Sequence, residues 1–223
     1  MEQALEHRLP EPGNRFRSSN LAQAWLVLVL AIFFGTALAA VQVNLSGIIL
    51  ENRQNEIFEK VLELIWGAAD APKKDVEIIP GTLSIRSGVK TKTFSLFKVV
   101  HQKNLAGWVI KAGGQGYADK IDLLIGVDPE VKTLTGLFIL DQKETPGLGN
   151  KITLPEWRRQ FLGKSTARPL VVTKGAPGDG ATIDAITGAT ISSRSVTRIV
   201  NQVMGAVKGN LNPETIQLSE RRK

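Results

Sequence analysis

The stretch Asp184-Ala185-Ile186-Thr187-Gly188-Ala189-Thr190-Ile191-Ser192-Ser193 gathers one carboxylate and four hydroxyls around a small Gly-Ala pair. Val196, Ile199, Val200, Val203 and Val207 follow at helix spacing. Thr190 therefore falls near a helix N-terminus, where free backbone N–H groups and the macrodipole favour a phosphate. A hydroxyl in that place is either a helix cap or the acceptor for a phosphate-bearing group. Gly188 and Ala189 leave no bulk beside it, so a modifying enzyme and a phosphate can both approach the backbone.

A second candidate is Lys143-Glu144-Thr145-Pro146-Gly147-Leu148-Gly149. Thr-Pro-Gly alone describes a turn with a solvated glutamate; the alternative is a loop that lines a ligand. Trp157 reads as a stacking partner or as a core residue. Lys174 reads as a neutralising charge or as a solvated loop lysine.

Other chemistries are disfavoured. Gly175 to Gly180 lacks the Lys-Ser/Thr ending of a phosphate-binding P-loop, and Gly147-Leu148-Gly149 lacks the third glycine of a dinucleotide fingerprint. Ser192, Ser193 and Ser195 have no evident base to make a hydrolase. With no cysteine, the chain has no thiolate catalysis, iron–sulfur ligation, c-type haem attachment or disulfide. Its only histidines are His7 and His101, so no metal centre is expected, and His101 reads as a strand or loop residue. Redox chemistry on such a chain requires an organic cofactor.

The elements that must position these residues follow from hydropathy. The chain has 223 residues, 43% of them apolar, enough for one substantial domain plus extra segments. The net charge of +7 is scattered and seldom beside aromatics, which points to anionic lipid or an acidic partner and not to nucleic acid. No charged residue lies between Arg17 and Glu51, and Leu21 to Val41 is apolar except for Gln23 and Thr36. About 20 residues at ~1.5 Å rise cross a hydrocarbon core. Ala37-Leu38-Ala39 resembles a signal-peptide cleavage site, but apolar character continues to Leu50, which favours a retained anchor. Arg15 and Arg17 place the N-terminus in the cytoplasm and the remainder outside.

Ile57, Phe58, Val61, Leu62 and Ile65 then predict a helix ending near Trp66-Gly67. Strands are expected at Thr82 to Arg86, Phe94 to Val100, Gly107 to Lys111, Ile121 to Val127 and Leu134 to Leu140. Gly113, Gly114 and Gly116 suggest a flexible turn, and Asp128-Pro129 a hairpin connection. Pro155 opens a helix, Leu170 to Thr173 is a further strand, and Leu211 to Lys223 is a polar, frayed tail. The expected organisation is a cytoplasmic segment 1–20, a transmembrane helix 21–45, a connecting helix 46–75, a domain 76–210 and the tail 211–223. The class is α+β, with a single N-terminal transmembrane helix, an antiparallel sheet and flanking helices.

The two candidate segments together resemble the FMN-binding domain family shared by RnfG of the Rnf electron-transport complex and NqrC of the sodium-translocating NADH:quinone reductase. The family's attachment pattern, Asp-x-x-Ser/Thr-Gly-Ala-Ser/Thr-x-Ser/Thr, is filled by Asp184, Thr187, Gly188, Ala189, Thr190 and Ser192. The resemblance extends to the single span, to Gly116-Tyr117 followed by Ile121, and to Glu144 through Gly149. Lys143, the Thr187 variant and the modest length are more like the Rnf protein, whereas Asp141-Gln142 is less typical of it.

The resemblance implies that a flavin transferase esterifies Thr190 with the phosphate of FMN. Asp184, Thr187, Gly188, Ala189 and Ser192 would be recognition and phosphate-pocket positions, and Glu144, Thr145 and Leu148 flavin contacts. It implies an electron-carrying subunit of an ion-translocating ferredoxin:NAD oxidoreductase in a bacterial or archaeal cytoplasmic membrane, in contact with lipid and with membrane and iron–sulfur subunits. Ferredoxin and NAD would bind elsewhere, and the chain is no stand-alone catalyst. The alternatives are the quinone-reductase component, a flavinylated membrane-anchored sensor domain and a scaffold without flavin.

Overall fold

The computed structural model describes residues 15–67, 75–87, 90–175, 180–211 and 216–218. It divides into two compact units, Met1–Gln54 and Asn55–Lys223. The first helix, α1 (Arg15–Trp66), belongs to both. Within the first unit its apolar side chains from Leu21 to Ile49 are exposed. Three polar side chains there turn back onto the helix: Thr36 Oγ1 donates to the Ile32 carbonyl, Asn44 to Ala40 and Ser46 to Val43. Such back-bonding removes free polar groups from an apolar stretch. Among the described residues this is the one helix long and apolar enough to cross a membrane.

In the second unit, β1 (Val76–Ser87), β2 (Lys90–His101), β3 (Asn104–Gln115), β4 (Lys120–Val127) and β5 (Leu134–Asp141) form an antiparallel meander. Each expected strand is present, and most are longer than the local pattern indicates. The last turns of α1 cover one face of this sheet, burying Val61 and Leu64 against Val99, Val109 and Leu124. The other face packs against α3 (Thr190–Val207), whose Val196, Ile199, Val200, Val203 and Val207 form the predicted stripe. Between β5 and α3 the chain makes a 3-10 turn at Gly149–Thr153, the short α2 (Pro155–Arg158) with proline in its first turn, and a 3-10 turn at Arg159–Phe161. The parallel pair β6 (Val171–Thr173) and β7 (Thr182–Asp184) follows.

Two expectations are corrected. Gly113 and Gly114 lie inside β3, paired with Asp122 and Ile121; the turn begins only at Gly116, whose N–H donates to the Asp119 carbonyl at 2.8 Å. Gly114 is extended strand because α3 lies against it: a Cβ there would stand 2.8 Å from Ile199 Cγ1. The tail is not frayed throughout. β8 (Ile216–Leu218) adds to the outer edge of β1 opposite Gly81–Leu83, with Ile216 buried, and Leu211 packs on the core. Burial of one apolar side chain and a short ladder outweigh the polar composition around it. Arg221-Arg222-Lys223 and most of the Gly175 to Gly180 loop lie outside the described residues.

Candidate functional site

Ile186, Thr187, Gly188 and Ala189 make a hydrogen-bonded turn, with the Ala189 N–H donating to the Ile186 carbonyl at 2.9 Å. Gly188, at φ +80°, supplies the positive φ that the third position of a type II turn requires. Ser193 ties this turn to the helix. Its hydroxyl donates to the Ala189 carbonyl at 3.0 Å and accepts from the Ile186 N–H at 3.1 Å. The turn therefore delivers the chain into α3 in one fixed direction.

Thr190 is the first helical residue, and Ala189 occupies the cap position without any side-chain cap bond. The cap role for Thr190 is thereby removed. The residue is half-buried, and its hydroxyl forms no hydrogen bond among the described residues. The backbone N–H groups of Thr190, Ile191 and Ser192 likewise form none there. A hydroxyl available for esterification, beside backbone N–H groups without a partner among the described residues, suits a phosphate ester at a helix N-terminus.

Glu144 is placed differently from a solvated loop acid. It is 4% exposed. Its Oε1 accepts from the N–H groups of Tyr117 at 2.9 Å and Ala118 at 3.0 Å. Its Oε2 accepts the Ser192 hydroxyl at 2.5 Å. One buried carboxylate thus clasps the Gly116–Asp119 turn to the first turn of α3, and its burial is offset by three donors. Gly116 and Gly149 make room for it. A Cβ on Gly116 would strike Glu144 Oε1, and one on Gly149 would lie 2.8 Å from Ser192 Oγ. The Ser192 proton is committed to this clasp, and both side chains are buried.

Thr145 and Leu148 are exposed. The Thr145 carbonyl accepts from the N–H groups of Leu148 at 3.2 Å and Asn150 at 3.3 Å, which closes the Thr-Pro-Gly-Leu turn. Leu148 Cδ2 reaches the Gly188 turn, within 2.9 Å of where a Cβ on Gly188 would stand. The two candidate loops, 40 residues apart in sequence, therefore meet around Thr190. Thr187 is exposed on the rim.

Asp184 ends β7. Its carboxylate accepts the Gly175 N–H at 2.9 Å, its N–H donates to Gln160 at 2.6 Å, and its carbonyl accepts the Trp157 indole N–H at 2.9 Å. Trp157 is a buried residue packed edge-on against Phe161, which decides for the core role over stacking. Arg158 fastens the same segment to the sheet. It donates to the carbonyls of Thr153 at 2.9 Å and Leu137 at 3.1 Å, and burial lowers its pKa from the ordinary value. Lys174 is an exposed loop residue beside Asp184's partner Gly175, and His101 ends β2 against Trp66.

Sequence reasoning missed Ser193, Gln160 and the Tyr117 and Ala118 N–H groups. The residue types at 160 and 193 carry no distinguishing signal, and backbone donors carry none at all. Gly116, by contrast, marks its turn in the sequence.

Residues 116–205 match the FMN-binding domain family. Over 184 residues the chain is 34% identical to the G subunit of a Na(+)-translocating ferredoxin:NAD(+) oxidoreductase complex of Acetobacterium woodii, covering 79% of this chain and 86% of that protein. It is 36% identical to the G subunit of an ion-translocating oxidoreductase complex of Methanosarcina acetivorans over 47% of this chain and 53% of that one. Among solved structures, NqrC of Shewanella oneidensis superposes with a TM-score of 0.57 at 20% identity, over 70% of this chain and 94% of that one, so the fold is shared.

Proposed function

Because the chain belongs to the family of FMN-binding G subunits of ion-translocating oxidoreductase complexes, we propose that it carries an FMN esterified through phosphate to Thr190 and passes electrons within such a complex. The observation that carries this reading is the Thr190 hydroxyl at the head of α3, which has no partner among the described residues, beside the N–H groups of Thr190, Ile191 and Ser192, which have none there either. Bound there, the flavin supplies electron-transfer chemistry that no side chain of this protein can.

The chain's own residues do the positioning. The first turn of α3 seats the phosphate. Gly188 and Ala189 keep the approach open, while Asp184 and Thr187 complete the surface that a flavin transferase reads. Thr145 and Leu148 face the flavin, and Glu144 with Ser192 holds the two loops at fixed separation. A tether suits a domain outside the cytoplasm, since it keeps the effective concentration on the order of millimolar or above. The segments are assigned as cytoplasmic 1–20, membrane-spanning 21–45, connecting 46–75 and FMN domain 76–210, with β8 of the tail 211–223 joined to the domain's sheet. The domain faces the periplasmic or extracytoplasmic side, where lipid and the complex's other membrane and iron–sulfur subunits surround it.

Mass spectrometry of the Thr190 peptide, from protein matured with its transferase, tests the assignment. The expected result is an FMN phosphoester on Thr190. An unmodified Thr190 in assembled, active complex overturns it.

A further inference from the structure

The six-stranded sheet is not continuous. β2 and β3 pair from His101 opposite Asn104 back to Ser95 opposite Lys111, and no further. Beyond that point, among the described residues, 90–94 pair only with β1 and 112–115 only with β4. The strands part into a fork that holds a cavity of about 280 Å³. Lys92, Lys111 and Lys120 stand around it, and Phe94, Ile199 and Val203 give it an apolar lining. Among the described residues Asp122 is the only carboxylate on its walls, and Lys120 already takes it at 2.8 Å. That hydrogen bond also raises the Lys120 pKa, so the ammonium stays charged. The Lys92 ammonium lies 5.2 Å from the centre of the Phe94 ring. The fork is thus cationic at its rim, apolar at its floor and flanked by strand backbone released from the ladder.

We propose that the β2–β3 fork is a docking slot for an extended acidic segment of a partner protein. Strand edges without a neighbour accept an added chain through main-chain hydrogen bonds. The lysines select carboxylates and disfavour a second copy of this chain, which would bring the same charges against them. The floor of the slot is α3, the helix that begins at Thr190. Ile199 lies nine residues along it, about 14 Å at 1.5 Å per residue. In the one step that rests on the flavin assignment, a segment held here keeps its protein beside the flavin.

The test uses the whole complex in its native membrane. A photo-crosslinking benzoylphenylalanine replaces Thr93 or, in a second variant, Gln202, both lining the fork. Crosslinked peptides are identified by mass spectrometry. The expected product joins the fork to an acidic stretch of another protein of the complex. Lys92→Glu with Lys111→Glu is expected to lower its yield by about tenfold or more, since facing like charges disfavours a contact strongly. Lys92→Arg with Lys111→Arg restores it, and raised salt weakens it. The proposal is overturned by no crosslink at either position, by a crosslink that survives charge reversal, or by a product with lipid, RNA, a non-acidic segment or a second copy. Flavin fluorescence of the unsubstituted complex is read in the same gels. Its absence with the crosslink present refutes the flavin assignment and leaves the slot; the converse refutes the slot alone.

Discussion

The sheet face beneath the end of α1 and the face beneath α3 are built from the same strands and both bury apolar side chains, but the second also buries polar groups near the start of α3. Val61 and Leu64 of α1 lie on Val99, Val109 and Leu124, all apolar. Under and around the start of α3 lie Glu144, Ser192, Ser193, Ser195 and Thr197, all buried. Glycine serves both faces in opposite ways. Gly107, Gly126 and Gly136 let the helix close down, for a Cβ on Gly107 would meet Ile65 at 2.8 Å and one on Gly136 would meet Leu64 at 2.9 Å. Gly116, Gly149 and Gly188 instead make space for Glu144, Ser192 and Leu148. A sealed apolar face needs only complementary shape. A face that buries a carboxylate must supply every donor, and that obligation fixes the position of each surrounding turn. The proposed site sits at the polar end of the second face, where its groups are already held in place.

If the faces divide stability from chemistry, substitutions on them must separate in their readouts. Thr190→Ala is expected to abolish covalent flavin fluorescence completely, with denaturant unfolding of the protein shifted by no more than ~0.5 kcal/mol. Leu64→Ala should cost about 2–4 kcal/mol of domain stability by cavity formation, while the folded fraction keeps its full flavin content. Glu144→Ala strips the acceptor from two backbone N–H groups and a hydroxyl, at about 1–3 kcal/mol, and should also lower flavin content, measured as the ratio of fluorescence to protein. Equal flavin losses in Leu64→Ala and Glu144→Ala would show that the two faces are not independent. Gly188→Ala is the mildest: a side chain at φ +80° beside Leu148 should cost about 1–2 kcal/mol and slow flavin attachment, followed as a time course with the transferase.

The apolar face was readable in advance. Ile57, Val61 and Ile65 state the helix on that face, and the alternation of Ile121, Leu123 and Ile125 states a strand through the apolar residues it turns to the opposite face. The start of α3 was readable too, from its valine and isoleucine stripe. The polar face was only half legible. Asp184 to Ser192 is contiguous, so its pattern survives in one dimension. The clasp is not: Glu144 meets backbone donors 26 and 27 residues upstream and a hydroxyl 48 residues downstream. A lone glutamate before Thr-Pro-Gly looks solvated until those partners arrive. Gly113 and Gly114 misled for a related reason. They read as a turn, but Gly113 is needed because Asp122 Oδ1 would strike its Cβ, and Gly114 because α3 crosses it. Ile216 gave no warning of β8, since one apolar residue carries no periodicity.

The unpartnered Thr190 hydroxyl also bears on the order of biogenesis. A finished fold that occupied this oxygen as a cap would have to open before any group could be joined to it. Here the turn is closed by Ser193 and Gly188, the strand before it is pinned by Trp157 and Gln160, and the oxygen is left over. Under the proposed attachment to Thr190, the folded domain itself is the substrate for maturation. That proposal then requires no window in which the chain must be caught unfolded.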